Sequence, residues 1–217
     1  MDAREETLAR IRAALADVTE PAPEVDVPVD WTHGRPLSTP DVIADFVEKV
    51  EDYEAPVVRV RAGGLLDALR DAVAALGVRR VVAPDGIDPA WVEALRQAGA
   101  EVVTDDPPLS HAELNDTDTV ISTCAVAMAD SGTIALDHAS GQGRRALTLL
   151  PDIHLCVVRT DQVVSDVPEG LALLAPAIRA GQPVTWLSGG SATSDIELSR
   201  VEGVHGPRRL YVLLVEA

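Results

Sequence analysis

Four segments in the second half of the chain carry residue types that can do chemistry. Ala129-Asp130-Ser131-Gly132-Thr133 sets a carboxylate beside two hydroxyls and a glycine. Gly141-Gln142-Gly143-Arg144-Arg145 offers two guanidiniums, whose planar forks suit a carboxylate. Ser188-Gly189-Gly190-Ser191-Ala192-Thr193-Ser194-Asp195-Ile196-Glu197 combines backbone amides, hydroxyls and two acids. Gly203-Val204-His205-Gly206-Pro207 holds a histidine in a turn whose path two glycines and a proline dictate. His205 is placed to serve as a general acid–base or a metal ligand. Alternatively, its ring only hydrogen-bonds its own turn.

Each segment also has a purely structural reading. Ser194-x-x-Glu197 has the form of a capping box, with Ser194 starting a helix and Glu197 reaching back to its amide. Asp195 and Glu197 would then crowd the helix N-terminus with negative charge, which disfavours a phosphate there. An anion would have to use the amides of Gly189, Gly190 and Ser191, with an arginine offsetting the acids. A hydroxyl or a cation fits more comfortably. The 129–133 segment can equally be a β-turn. The 141–145 segment is not a G-x-G-x-x-G fingerprint, because position 146 is alanine. His154, in an apolar run, reads as a core histidine. Asp137-His138 lacks metal-ligand spacing, and no metal is expected.

Periodicity supplies the elements that position these residues. Residues 3–16 form an amphipathic helix with Leu8, Ile11, Leu15 and Val18 on one stripe, and the Pro-rich stretch 21–28 follows. The reading divides the chain into an arm, residues 1–38, packed outside the main core on that core or another subunit, and a main domain, residues 39–217. The domain opens with a helix near 39–51, capped by Ser38 or Thr39 with Pro40 in its first turn. Strands at 57–60, 80–83 and 101–103 then alternate with helices at 65–73 and 89–98, ended by Gly77 and Gly99. That rhythm predicts an open, mostly parallel sheet with helices on both faces. The C-terminal half is richer in strands, at 119–124, 132–136, 154–158, 183–187 and 210–215, with a helix at about 168–180. The runs at 183–187 and 210–215 read as buried strands flanking the polar loop. The 129–133 segment falls at a candidate carboxyl end of the sheet, where ligands bind in such folds.

Composition bounds the function. Hydrophobic residues make up 47% of 217 and aromatics 3%, so an aliphatic core is expected. The net charge of −17 repels phosphate backbones and anionic membranes, which argues against nucleic-acid binding. Two cysteines, Cys124 and Cys156, are too few to hold an iron–sulfur cluster and read as buried free thiols. No apolar run approaches the roughly 20 residues of a membrane span. The acidic start, Met1-Asp2-Ala3-Arg4-Glu5-Glu6, lacks a signal-peptide core, so the cytoplasm is the expected compartment.

The four chemical segments, taken in order with Leu150-Pro151-Asp152-Ile153-His154 between the second and third, resemble the lactate utilisation (LUD) domain family. The specific motifs span about residues 119–217; the N-terminal half matches in pattern only. Where the family often has Gly-Pro-Ser, this chain has Gly189-Gly190-Ser191, which frees the turn. The resemblance implies a three-layer, Rossmann-like fold similar to the NagB/RpiA/CoA transferase-like superfamily of sugar-phosphate isomerases and CoA transferases. It implies a role in oxidising L-lactate to pyruvate with two partner proteins, at least one of them carrying iron–sulfur clusters, and no cofactor in this chain. A small hydroxy or keto acid is the expected ligand.

The resemblance groups Asp130, Asp195, Glu197 and His205 as catalytic candidates. Ser131, Gly132, Thr133, Arg144, Gly189, Gly190, Ser191 and Thr193 are the candidate ligand-binding residues. Asp130, Thr133, Ser191, Asp195, Glu197 and His205 are expected around one cleft, with His205 within about 15 Å of Asp130, or nearly three helical turns. The alternative function is an independent isomerase- or transferase-like enzyme acting on a phosphorylated or CoA-linked molecule, with Asp130 or Glu197 as nucleophile.

Overall fold

The computed structural model describes residues 2–18, 37–190 and 206–216, and the backbone alone at 192–193 and 201–202. The chain forms two compact units, Met1–Gly34 and Arg35–Ala217. In the first, Asp2 caps helix α1 (Ala3–Ala14), and Glu5 and Glu6 in the first turn suit its positive end. None of the residues of α1 is buried.

The second unit opens with α2 (Val42–Asp52), one turn later than the sequence reading placed it. Asp41 is its cap, accepting from the Ala44 amide at 3.0 Å, and Pro40 stays outside. The Thr39 hydroxyl is turned away to the Asp45 carboxylate. Next come β1 (Val57–Val60), α3 (Leu65–Leu76), β2 (Arg80–Ala83), α4 (Pro89–Gln97) and β3 (Glu101–Thr104), matching the expected alternation. Gly77 ends α3 at φ +65°, a left-handed position that favours glycine. A short α5 (His111–Asn115) leads to β4 (Thr119–Ser122). Beyond it lie β5 (Val126–Met128), β6 (Thr133–Leu136), a 3₁₀ turn (Arg145–Thr148), β7 (Ile153–Arg159), β8 (Val163–Val164) and α6 (Val167–Arg179). The chain closes with β9 (Thr185–Leu187), the paired strands β10 (Ala192–Thr193) and β11 (Val201–Glu202), and β12 (Arg209–Val215).

The main sheet has the order β1-β12-β7-β4-β2-β3, with every neighbouring pair parallel. One face packs on α3 and α4 through Leu69, Val73 and Leu95 against Val81, Ile121, Leu155 and Leu213. The other face carries helices as expected, with α5 packing Leu114 on Val82 and Val120, and adds a second sheet to them. There α2 shares the cover with a second sheet, ordered β8-β5-β6-β9. The cause is visible in β5 and β6. Ala127, Ile134 and Leu136 point at the main sheet, while Val126, Met128 and Ala135 point at Leu174 of α6. A strand pair apolar on both faces can only sit between two layers. Among the described residues no helix is long and apolar enough to cross a membrane.

Candidate functional site

The chain's direction along the main sheet reverses between β2 and β4: β2 leads outward to β3, and β4 leads the opposite way to β7. Open α/β sheets bind ligands at the carboxyl ends of such a switch point. Here the chain's own 137–144 loop occupies it. The Gly141 amide donates to Asp85 O at 2.8 Å, and the Thr123 amide donates to Gly141 O at 2.9 Å. A side chain at Gly86 would run into Ser140. The buried Gln142 carboxamide accepts from the amides of Asp137, at 2.8 Å, and His138, at 3.1 Å. The loop takes up the crevice between β2 and β4, and a cavity of about 480 Å³ remains beside it at the carboxyl ends of β2 and β3, lined by Asp85, Gly86, Thr104, Asp105 and Arg144 among others.

The 129–133 segment does not lie at a carboxyl end of the main sheet. It is the turn of the β5–β6 hairpin in the second sheet. The Asp130 amide donates to Ser165 O at 3.1 Å, and Asp130 itself is exposed. The Ser131 hydroxyl is buried without a partner. Gly132 is a packing glycine: a Cβ there would stand 2.7 Å from the Lys49 carbonyl carbon, and φ is +59°. Thr133 alone reaches toward the polar loop, its hydroxyl 2.8 Å from that of Ser188.

Next to this link lies a cleft of about 450 Å³, lined by Arg145, Thr148, Leu149, residues 184–190, Gly206 and Pro207. Leu149 precedes β7 and Pro207 precedes β12, so the cleft opens at the amino ends of these strands. One wall is β9, an edge strand with Trp186 41% exposed, not the buried strand its apolar composition suggested. Gly189 and Gly190 belong to the cleft. A side chain at Gly189 would strike Tyr53, and one at Gly190 would strike the Arg208 carbonyl. The close approach at Gly190 explains why glycine stands where the family often has proline.

Arg144 is held in a structural ion pair. Its Nε and Nη2 donate to the two Asp105 oxygens at 2.7 and 2.9 Å, and Nη2 also reaches Leu109 O at 2.7 Å. Burial works against the Asp105 carboxylate, but Arg144 and the Leu109 amide prevail and hold its pKa below the usual value. Arg145, the next residue, is the guanidinium that lines the cleft. Its sequence signal was the arginine pair. Choosing between the two required knowledge of Asp105, 39 residues away.

His138 is a second residue whose setting the sequence left unassigned. It has φ +58°, strained for a residue with a side chain. Its Nδ1 lies 2.7 Å from Gly143 O and its Nε2 2.8 Å from Thr185 Oγ1. A carbonyl only accepts, so Nδ1 carries the proton, and in the neutral ring Nε2 accepts from Thr185. With both nitrogens engaged, His138 does not present itself to a metal. Among the described residues no three His, Cys, Asp or Glu side chains converge on a metal-sized site. Cys124 and Cys156 are free and buried. Burial pushes the Cys156 thiol up to about 12, and that of Cys124 well above its ordinary value. Ser191, Asp195, Glu197 and His205 lie outside the described residues, as does the His205–Asp130 separation. Thr193 is described in its backbone, paired with Val201. The described candidates that share the cleft region are therefore Thr133, Gly189 and Gly190. Asp130, Ser131, Gly132 and Arg144 are not among the residues lining the cleft.

A parallel sheet, a mixed sheet packed on it, and a cleft with an arginine beside the edge of the second sheet define a two-sheet α/β domain. The chain belongs to the LUD domain family, whose model matches residues 91–215. It is 48% identical over 215 residues to a lactate utilization protein C of Deinococcus radiodurans, covering 99% of this chain and 96% of that protein. A lactate utilization protein C of Geobacillus thermodenitrificans is 25% identical, covering 89% and 86%. The crystal structure of a DUF162 family protein from Deinococcus radiodurans aligns with a TM-score of 0.69 at 43% identity, covering 83% of this chain and 99% of that one.

Proposed function

We propose that the chain is a lactate utilisation protein C-like subunit that acts in the cytoplasm with iron–sulfur partner proteins to oxidise L-lactate to pyruvate. The observation that carries this reading is the 48% identity with a lactate utilization protein C across 99% of the chain. Similarity of that extent reaches well beyond the matched domain, residues 91–215. Oxidising lactate to pyruvate removes two electrons and two protons. With two cysteines, both buried and protonated, this chain has too few thiolates for a cysteine-held cluster, so an iron–sulfur acceptor would belong to the partners. This subunit's part is to hold a small hydroxy or keto acid, or the partner surface, through the 188–207 loop and the adjoining cleft.

The test is growth. Asp195→Asn combined with Glu197→Gln keeps size and most hydrogen bonding and removes charge. The double variant is expected to impair growth on lactate and spare growth on glucose, with an unchanged melting temperature. Normal growth on lactate, in a strain shown to need the protein for it, would remove the carboxylates from the reading. Stabilisation by CoA esters or sugar phosphates, and not by lactate or pyruvate, would favour an independent transferase or isomerase instead.

A further inference from the structure

The cleft has a charge pattern at odds with the chain around it. The protein carries 35 acidic residues against 18 lysines and arginines. Yet among the described residues lining this cleft there is no acid, and Arg145 is its sole cation. Among the described residues the Arg145 guanidinium has no ion pair, whereas its neighbour Arg144 bonds Asp105 through Nε and Nη2. A single cation among the described lining of a concave site focuses attraction on an anion. One positive charge matches one negative charge. A phosphate dianion would call for a second cation or an α-helix N-terminus, and the described lining supplies neither.

The surroundings suit a short acid. Leu149, Val184, Leu187 and Pro207 offer apolar surface. The strand β9, which among the described residues pairs only with β6, and the Gly189–Gly190 backbone bring main-chain polar groups to the cleft for a hydroxyl or keto oxygen. The turn that carries Arg145 is held in place. Arg144 pins the turn on one side, and His138 ties Gly143 O to Thr185 of β9, joining two walls of the cleft. A strained residue with both ring nitrogens engaged is a positioning device at the site it supports.

We infer that Arg145 anchors the carboxylate of a short 2-hydroxy or 2-oxo monocarboxylic acid in this cleft, with His138 positioning it. The choice of acid rests on the function proposed above. The guanidinium fork meets the carboxylate with two parallel hydrogen bonds. The experiment is an NMR titration of the full-length ¹⁵N-labelled chain with L-lactate and with pyruvate, following the Arg145 Nε–H signal and the Gly189 and Gly190 amides. Saturable shifts are expected in the wild type. Arg145→Gln should weaken binding by about tenfold or more, the scale of a charge-assisted hydrogen bond, and Arg145→Lys by less. Arg179→Gln, at the exposed end of α6, should bind as the wild type does. Wild-type affinity in Arg145→Gln, or no saturable binding of either acid, would overturn the inference. If neither acid binds but growth on lactate still needs the chain, the anchor fails and the proposed function stands. If Arg145→Gln abolishes binding but growth on lactate is independent of the chain, the anchor stands and the proposed function fails.

Discussion

His154 shows how one residue can couple this fold to pH. It is 1% exposed, with Nε2 2.7 Å from Ser122 Oγ and Nδ1 without a partner. Burial pushes its pKa down from 6.5 to about 4, so the folded ring is neutral at pH 7. The unfolded chain takes up this proton near 6.5 and the folded chain only near 4. The unfolded state therefore binds more protons in that window. The contribution of His154 is full above pH 6.5 and is lost as the pH falls toward 4. The full loss is about 3 kcal/mol, from 1.36 kcal/mol per unit of pKa. Urea unfolding at pH 7 and at pH 4.5 should show this fall, and His154→Gln should reduce the slope by one proton. An identical slope in the variant would mean that His154 is already solvated and titrating in the folded state. The sequence reading of His154 as a core histidine was correct in placement. Its missing partner at Nδ1 was illegible, because it depends on what the second sheet brings over the strand.

At the scale of elements, α6 depends on Asp166. This carboxylate is 3% exposed; it accepts the Glu169 amide as the helix cap and the Leu37 amide from the start of the domain, both at 2.9 Å. Asp166→Ala removes the acceptor of two partly buried donors and should cost about 1–2 kcal/mol. Asp166→Asn keeps the acceptor for one of them and should cost less. The measurement is the urea midpoint, set beside Asp67→Ala on the exposed side of α3. Equal midpoints for Asp166→Ala and Asp67→Ala would remove Asp166 as a tie between the segments. Most element positions were legible, because β1 to β3 and α3 to α4 alternate with clear turn signals. The start of α2 was missed by a turn, since Thr39, Asp41 and Ser38 are all capping residue types and only the geometry at Ala44 chooses among them. Strand β9 was legible as a strand but not as an edge, because periodicity reports faces and not neighbours.

The whole molecule carries a charge of −17. Ion pairs such as Arg144–Asp105 and Arg79–Asp118 engage only part of the acid excess, so self-repulsion opposes the compact state. Salt screens this repulsion over about 8–10 Å near physiological strength. Raising NaCl from low concentration to about 0.5 M should therefore raise the melting temperature. A fall would show that the screened ion pairs outweigh the repulsion. By itself the sequence determined the α/β class, the strand and helix order, the aliphatic core and the segments in which chemistry is concentrated. These follow from local spacing, turn residues and composition, which act over a few residues. Only the tertiary structure decided that a second sheet, and not helices alone, covers the far face. Only it decided that the 137–144 loop enters the switch point, that Asp130 sits on a hairpin turn, and that Arg145 lines the cleft beside β9 while Arg144 pairs with Asp105. Each of these turns on contacts between distant segments, such as Arg144 with Asp105 across 39 residues or Thr133 with Ser188 across 55. Such contacts form when layers pack, and local periodicity does not encode which segments will meet.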